Sequence, residues 1–173
     1  INLLTVLTGY SESTIKAEVL NNTFLQTINM TPQASSRDPQ QVFHIDTFYP
    51  AFKFWYFPNA VDLTSAPFQY VPQSHLPHID LMHYFQDRYK DNAYDTNYAI
   101  SNDNAEGSLR ATNNDVSRMG FRPISINVPA NSLVIANVAG FHRRGLNKNH
   151  VIRHAIHSSI RPKRIFDIAT YCL

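Results

Sequence analysis

Short apolar runs, cut apart by proline and turn residues, limit the folds open to this chain more than any other feature. The runs QVFHIDTFY (41–49), FKFWYF (52–57), PFQYVP (67–72), PISINVP (123–129), SLVIANVAGF (132–141) and HVIRHAIHSSI (150–160) read as strands. Pro50 and Pro58 bound the aromatic run on both sides. NTFLQTINM (22–30) mixes apolar and Thr residues in the same way, and IFDIATY (165–171) reads as a last strand. TPQASSRDPQ (31–40) is turn chemistry throughout. Two segments differ. SESTIKAEVLN (11–21) predicts a helix with a Ser cap and a Glu in reach for a capping box. HIDLMHYFQDRYKD (78–91) sets Ile79, Met82, Tyr84 or Phe85 and Tyr89 near helical spacing. Many short strands with one or two helices predict a mainly β fold, a sandwich or barrel, and a jelly roll fits best. The polar stretch 92–120 has no apolar period and reads as a lid or mobile loop.

The chain has 173 residues, which suits a single domain with a full core. Its net charge is +2, and the 15 Lys and Arg are scattered, so no nucleic-acid surface is predicted. No apolar run approaches the roughly 20 residues of a membrane span. The single thiol, Cys172, forms neither an internal disulfide nor a CxxC site, which points to a reducing, cytoplasmic setting. The start INLLTVLTGY lacks a basic n-region and an initiator Met, so it reads as a processed form or a fragment rather than a signal peptide.

Chemistry enters through two His-x-Asp triplets, at 44–46 and 78–80. On a strand, side chains two apart share a face, and an imidazole with a carboxylate is two thirds of a two-His, one-carboxylate iron site. His78 and Asp80 fall where the pattern turns helical. There, positions two apart point to different sides, and Asp80 reads as a first-turn acid. His44 and Asp46 fall in a strand-like run between Val42 and Phe48. A carboxylate on such an apolar face needs a cation. A third ligand calls for a His on a facing strand, and the run ending in His142 offers one. Eleven residues on, Arg153 is placed for a two-toothed bond to a carboxylate. If Arg153 points inward, so do Val151, Ala155 and His157, while Ile152, His154 and Ile156 face the other way.

Together these residues resemble the phytanoyl-CoA dioxygenase-like branch of the Fe(II)/2-oxoglutarate-dependent oxygenases. The HID triplet, the aromatic run with Trp55, PQSH (72–75), which looks like that family's PGSH, His142 and Arg153 carry the resemblance over about residues 22–160. It implies a double-stranded β-helix, a jelly-roll form. It implies Fe(II) held by His44, Asp46 and His142, with 2-oxoglutarate and O2 taking the open positions. Arg153 would bind the far carboxylate of 2-oxoglutarate. Trp55 would line the same pocket, and Gln26, on the preceding strand, is a further candidate. The implied activity is hydroxylation of an unactivated C–H bond in a small organic substrate. Asp46 favours this over halogenation, where related enzymes carry a small residue.

Departures from the family are specific. Arg144 stands where a Ser is usual, either as a second cation in the pocket or as a charge turned to solvent. Gln73 must make a turn that Gly usually makes. Lys53 shares strand parity with Trp55, but the expected orientation is outward, through local twist. Only 43 residues precede His44, so part of the usual N-terminal scaffold is expected to be missing from this chain or supplied by a partner. His75 is expected to order the PQSH turn, His83 and His150 to face solvent, and His157 to be a satisfied core residue. The alternative function is a catalytically inactive jelly-roll binding or structural module. A zinc hydrolase shares the ligand types but leaves Arg153 and Trp55 without a role.

Overall fold

Two antiparallel sheets with helices on their outer faces make up the computed structural model, which describes residues 2–31, 38–90 and 109–161. In chain order the helices are α1 (Asn2–Thr8), α2 (Glu12–Asn21), α3 (Ile79–Lys90) and α4 (Asn113–Arg118). The strands are β1 (Phe24–Met30), β2 (Phe43–His44), β3 (Phe52–Phe57), β4 (Phe68–Tyr70), β5 (Arg110–Ala111), β6 (Ile124–Ile126), β7 (Ser132–Asn137), β8 (His142–Arg144) and β9 (Val151–Ile160). One sheet has the order β1-β9-β3-β7, the other β5-β2-β8-β4-β6. The mainly β expectation holds. None of the described helices is long and apolar enough to cross a membrane.

Strand alternation explains the layering. On β3, Phe52 and Phe54 turn outward and pack with Ile15, Ile160 and the α1–α2 residues Leu4 and Val19. Lys53, Trp55 and Phe57 turn inward, and Trp55 meets Phe68 of the opposite sheet at 4.7 Å between ring centroids. On β2, Phe43 points outward into a cluster with Val71, Leu81, Val116 and Phe141 under α3 and α4, while His44 points inward. The larger apolar clusters therefore lie on the flanks. A smaller one, Phe57, Val61 and Ala155, fills part of the space between the sheets.

Several expectations need correction. The run 132–141 is not one strand. β7 ends at Asn137, and the chain crosses to the other sheet before β8 starts at His142. Asn137 makes this corner: its carbonyl accepts from Gly140 N at 3.2 Å, and its side chain accepts from Ala139 N at 3.1 Å. Gly140 is required because a Cβ there would collide with the side chains of Tyr70 and Ser74. The run 41–49 shrinks to two paired residues, with a 3-10 turn at Pro39–Gln41 before it and a bend at Asp46 after it. α1 was not anticipated. Ser11 does cap α2, but its partner is Thr14 N, and Glu12 pairs instead with Lys16 at 2.7 Å. The complete capping box lies at Thr112 and Asp115 of α4. On α3 the packed side chains are Leu81, Tyr84 and Phe85, with Ile79 and Met82 exposed. Of the segment 92–120, residues 92–108 lie outside the described residues, and the remainder carries β5 and α4. The strand expected at 165–171 also lies outside them.

Candidate metal centre

β2 and β8 pair antiparallel with His44 directly opposite His142. Both residues are buried, at 2% and 3% exposure, and their rings lie 4.5 Å apart. The Nδ1 atom of His44 is 2.8 Å from Val42 O, and that of His142 is 2.9 Å from Gly140 O. A carbonyl oxygen only accepts, so each Nδ1 carries the proton and each Nε2 keeps a bare lone pair. Such carbonyl partners fix the tautomer and the ring plane of metal-binding histidines. Burial pushes both pKa values below the ordinary range, and for His142 the neighbouring His44 adds to the effect. Both rings are therefore neutral at pH 7.

Asp46 follows β2 at a bend stabilised by its own N–H, which donates to Val138 O at 3.0 Å. Its Oδ1 lies 3.9 Å from His44 Nε2 and 3.8 Å from His142 Nε2. These distances are too long for hydrogen bonds. One donor atom from each of His44, Asp46 and His142 lies within 4.8 Å of the other two, a group that could hold a metal ion. The donor set fits a ferrous ion or another borderline divalent cation: two lone-pair nitrogens and a carboxylate held together in a buried site. Burial would raise the Asp46 pKa, but the charge of Lys53 beside it works the other way, and the carboxyl sits below its ordinary value.

A cavity of about 100 Å³ opens beside these ligands, lined by Gln26, Lys53, Trp55, Phe68, Arg144 and Arg153 among others. All seven residues singled out from the sequence thus fall at one place: His44, His142, Arg153, Trp55, Gln26 and Arg144 on the cavity wall and Asp46 beside it. Arg153 projects from β9 with Ala155 and His157 on its face, while Ile152, His154 and Ile156 are exposed on the other. Its Nη1 donates to Ala66 O, and among the described residues its Nε has no partner and no carboxylate pairs with it. Burial, with Arg144 nearby, lowers its pKa to about 10, which leaves it charged at pH 7. Arg144 resolves as a cavity residue, tied to Asp38 at 3.3 Å.

Lys53 overturns the outward expectation. It lines the cavity, and its Nζ lies 2.5 Å from Asp46 Oδ2, off the line of a regular hydrogen bond but within ion-pair range. Plain strand parity with Trp55 was the right signal. His157 is buried between Trp55 and Phe24, and its Nδ1 has no partner among the described residues, where a satisfied core residue was expected. Burial lowers its pKa to about 4. Phe68 was missed altogether; it touches both Trp55 and His142. Gln73 does take the left-handed conformation, φ 67°, and His75 Nδ1 lies 3.2 Å from Tyr70 Oη beside that turn. His83 and His150 are exposed, and His78 and Asp80 form a separate surface pair at 3.6 Å.

No protein-family model matches this sequence, and no curated relative matches it. Among solved structures, the chain is similar to the non-heme alpha ketoglutarate dependent epimerase SnoN from nogalamycin biosynthesis, with TM-score 0.48 and 15% identity over 84% of this chain and 54% of that one. A second structure of SnoN, in complex with Fe3+, alpha ketoglutarate and nogalamycin RO, gives TM-score 0.48 and 16% identity over 84% and 55%. HygX from Streptomyces hygroscopicus with iron bound gives 0.43 and 13% over 88% and 64%. The chain thus spans about half of the SnoN length and less than two thirds of HygX. Likeness this distant carries no argument about family or reaction, which rest on the side chains.

Proposed function

We propose that this chain is a jelly-roll, double-stranded β-helix oxygenase that uses Fe(II), 2-oxoglutarate and O2 to hydroxylate a C–H bond of a small organic molecule. One observation carries the reading. Two neutral imidazoles and a carboxylate converge beside a cavity that also holds a guanidinium with a buried Nε and, among the described residues, no acidic partner. His44, Asp46 and His142 would hold the iron and leave part of its coordination sphere open. Bound there, iron with its cosubstrate supplies the oxidation, in which 2-oxoglutarate and O2 give succinate, CO2 and one oxygen atom for the substrate.

The chain's own residues bind, orient and shield. Arg153 offers its Nε, without a partner among the described residues, and its remaining amino group to a carboxylate, a charge-assisted contact that suits the far end of a diacid. Its tie to Ala66 O fixes the plane in which that fork lies. Trp55 and Phe68 make an apolar wall that excludes water from the ligand side of His142. Gln26 and Arg144 add polar contacts at the same wall. Asp46 supports hydroxylation over halogenation, and the lone cysteine supports a reducing, cytoplasmic setting. The resemblance to the phytanoyl-CoA dioxygenase-like branch remains a reading of motifs, and nothing in the cavity singles out a CoA ester.

One observation favours the second reading, an inactive jelly-roll module: Lys53 already compensates Asp46. Anaerobic addition of Fe(II) and 2-oxoglutarate separates the two. The active site develops a weak visible charge-transfer band and, with air, releases succinate. Absence of the band from protein that takes up no iron rejects the proposal.

A further inference from the structure

The two oxygens of Asp46 are sorted. Oδ1 faces the two imidazole nitrogens at 3.9 and 3.8 Å, and Oδ2 faces Lys53 Nζ at 2.5 Å. The sorting spans the cavity, because Asp46 belongs to the β2 side and Lys53 projects from β3 of the opposite sheet. Lys53 is held in place by its strand: β3 is paired on both sides, with Lys53 opposite Ala136 of β7 and Ser159 of β9. Its side chain is 21% exposed and that of Asp46 11%, so water screens this pair little.

We propose that Lys53 is a positioning residue that occupies Oδ2 and keeps Asp46 a one-oxygen metal ligand. This rests on the metal-site reading above. Carboxylates can bind a cation through one oxygen or both. On an octahedral ion, two imidazoles and a one-oxygen carboxylate leave three positions, enough for a two-toothed cosubstrate and O2. A two-oxygen carboxylate would leave two. The ammonium also balances the acid before metal arrives, which keeps a lone carboxylate from being buried uncompensated.

Co(II) titration under anaerobic conditions tests this, with the visible d–d spectrum reporting coordination. Lys53→Met is expected to bind Co(II) at least as tightly as the native chain, since a neighbouring like charge is gone, but with a shifted spectrum as Oδ2 joins the ion. Lys53→Arg, which keeps charge and donors, is expected to restore the native spectrum. If Lys53→Met does not fold, Lys53→Gln is read in its place. A native spectrum in the Met variant, or a loss of Co(II) affinity of about tenfold or more as expected of disrupted ligand support, overturns the role. An Arg variant that matches Met overturns it too. A native chain that takes up no Co(II) overturns the metal-site reading itself, and this inference with it.

Discussion

His44 and His142 are cross-strand partners, their imidazoles 4.5 Å apart and each anchored by Nδ1 to a carbonyl two residues before it. On the proposed reading, the symmetry of this arrangement makes the two rings equivalent as metal ligands. Replacing either by Ala is expected to abolish stoichiometric metal uptake, a larger loss than the about 10–100-fold seen on removing an outer-shell partner. Far-UV circular dichroism is expected to stay native, since neither ring belongs to the flanking apolar clusters. Metal content after anaerobic Fe(II) loading checks both points.

Arg153 should affect the cosubstrate and not the metal. Arg153→Leu is expected to raise the 2-oxoglutarate concentration for half-saturation by about 10–100-fold, the equivalent of about 1.5–3 kcal/mol for hydrogen bonds to a charged group. Co(II) affinity should be unchanged. Arg153→Lys should restore little, because an ammonium cannot reproduce the planar fork. Parallel titrations with metal and with 2-oxoglutarate separate the two effects.

Asp115 couples α4 to pH. Burial would raise its pKa, but bonds from the Thr112 N–H and hydroxyl, with Arg88 beside them, hold it below the ordinary value. A carboxyl depressed in the folded state stabilises above its unfolded pKa, and the contribution disappears as pH falls through the folded value. Asp115→Asn should therefore cost about 1 kcal/mol at neutral pH, as lost caps do, and less as the solution is acidified. Thermal melts of both forms from neutral pH into the acid range should converge; a constant gap would contradict the assignment.

Gln73 is held at φ 67°, where a side chain is strained by roughly 1–2 kcal/mol. Gln73→Gly removes that strain but loosens the unfolded chain by roughly 0.5–1 kcal/mol. The net expectation is a gain of up to about 1 kcal/mol, a rise in Tm of about 2–4 °C. Neighbouring Ser74 supplies a contrast: its buried hydroxyl donates to Val71 O and accepts from Phe141 N, so Ser74→Ala should lower stability by about 1–3 kcal/mol. Calorimetry on the two variants should give opposite signs.

Much of the site was legible because strands alternate strictly. Arg153 with Ala155 and His157 could be placed on one face by counting in twos, whereas Asp46 reaches the site from a bend beyond the two-residue β2. The aromatic run between prolines came out at its observed bounds, Phe52–Phe57. What escaped depends on contacts remote in the chain. The corner between β7 and β8 is made by Asn137, and the need for a residue without a Cβ at Gly140, set by distant Tyr70 and Ser74, is not revealed by the local pattern. The packed stripe of α3 is Leu81, Tyr84 and Phe85, in one cluster with Phe43 and Phe141, and not the stripe that starts at Ile79 and Met82. Lys53 was misjudged because a lone ammonium facing inward looks costly until Asp46 is seen across from it.

The placement of greasy residues on the flanks has a consequence for divergence. Cohesion is supplied by α1–α2 on one side and α3–α4 on the other. Polar groups lining the hollow between can then be exchanged without touching either adhesive layer. A scaffold divided this way tolerates new chemistry at its centre while its folding machinery stays intact.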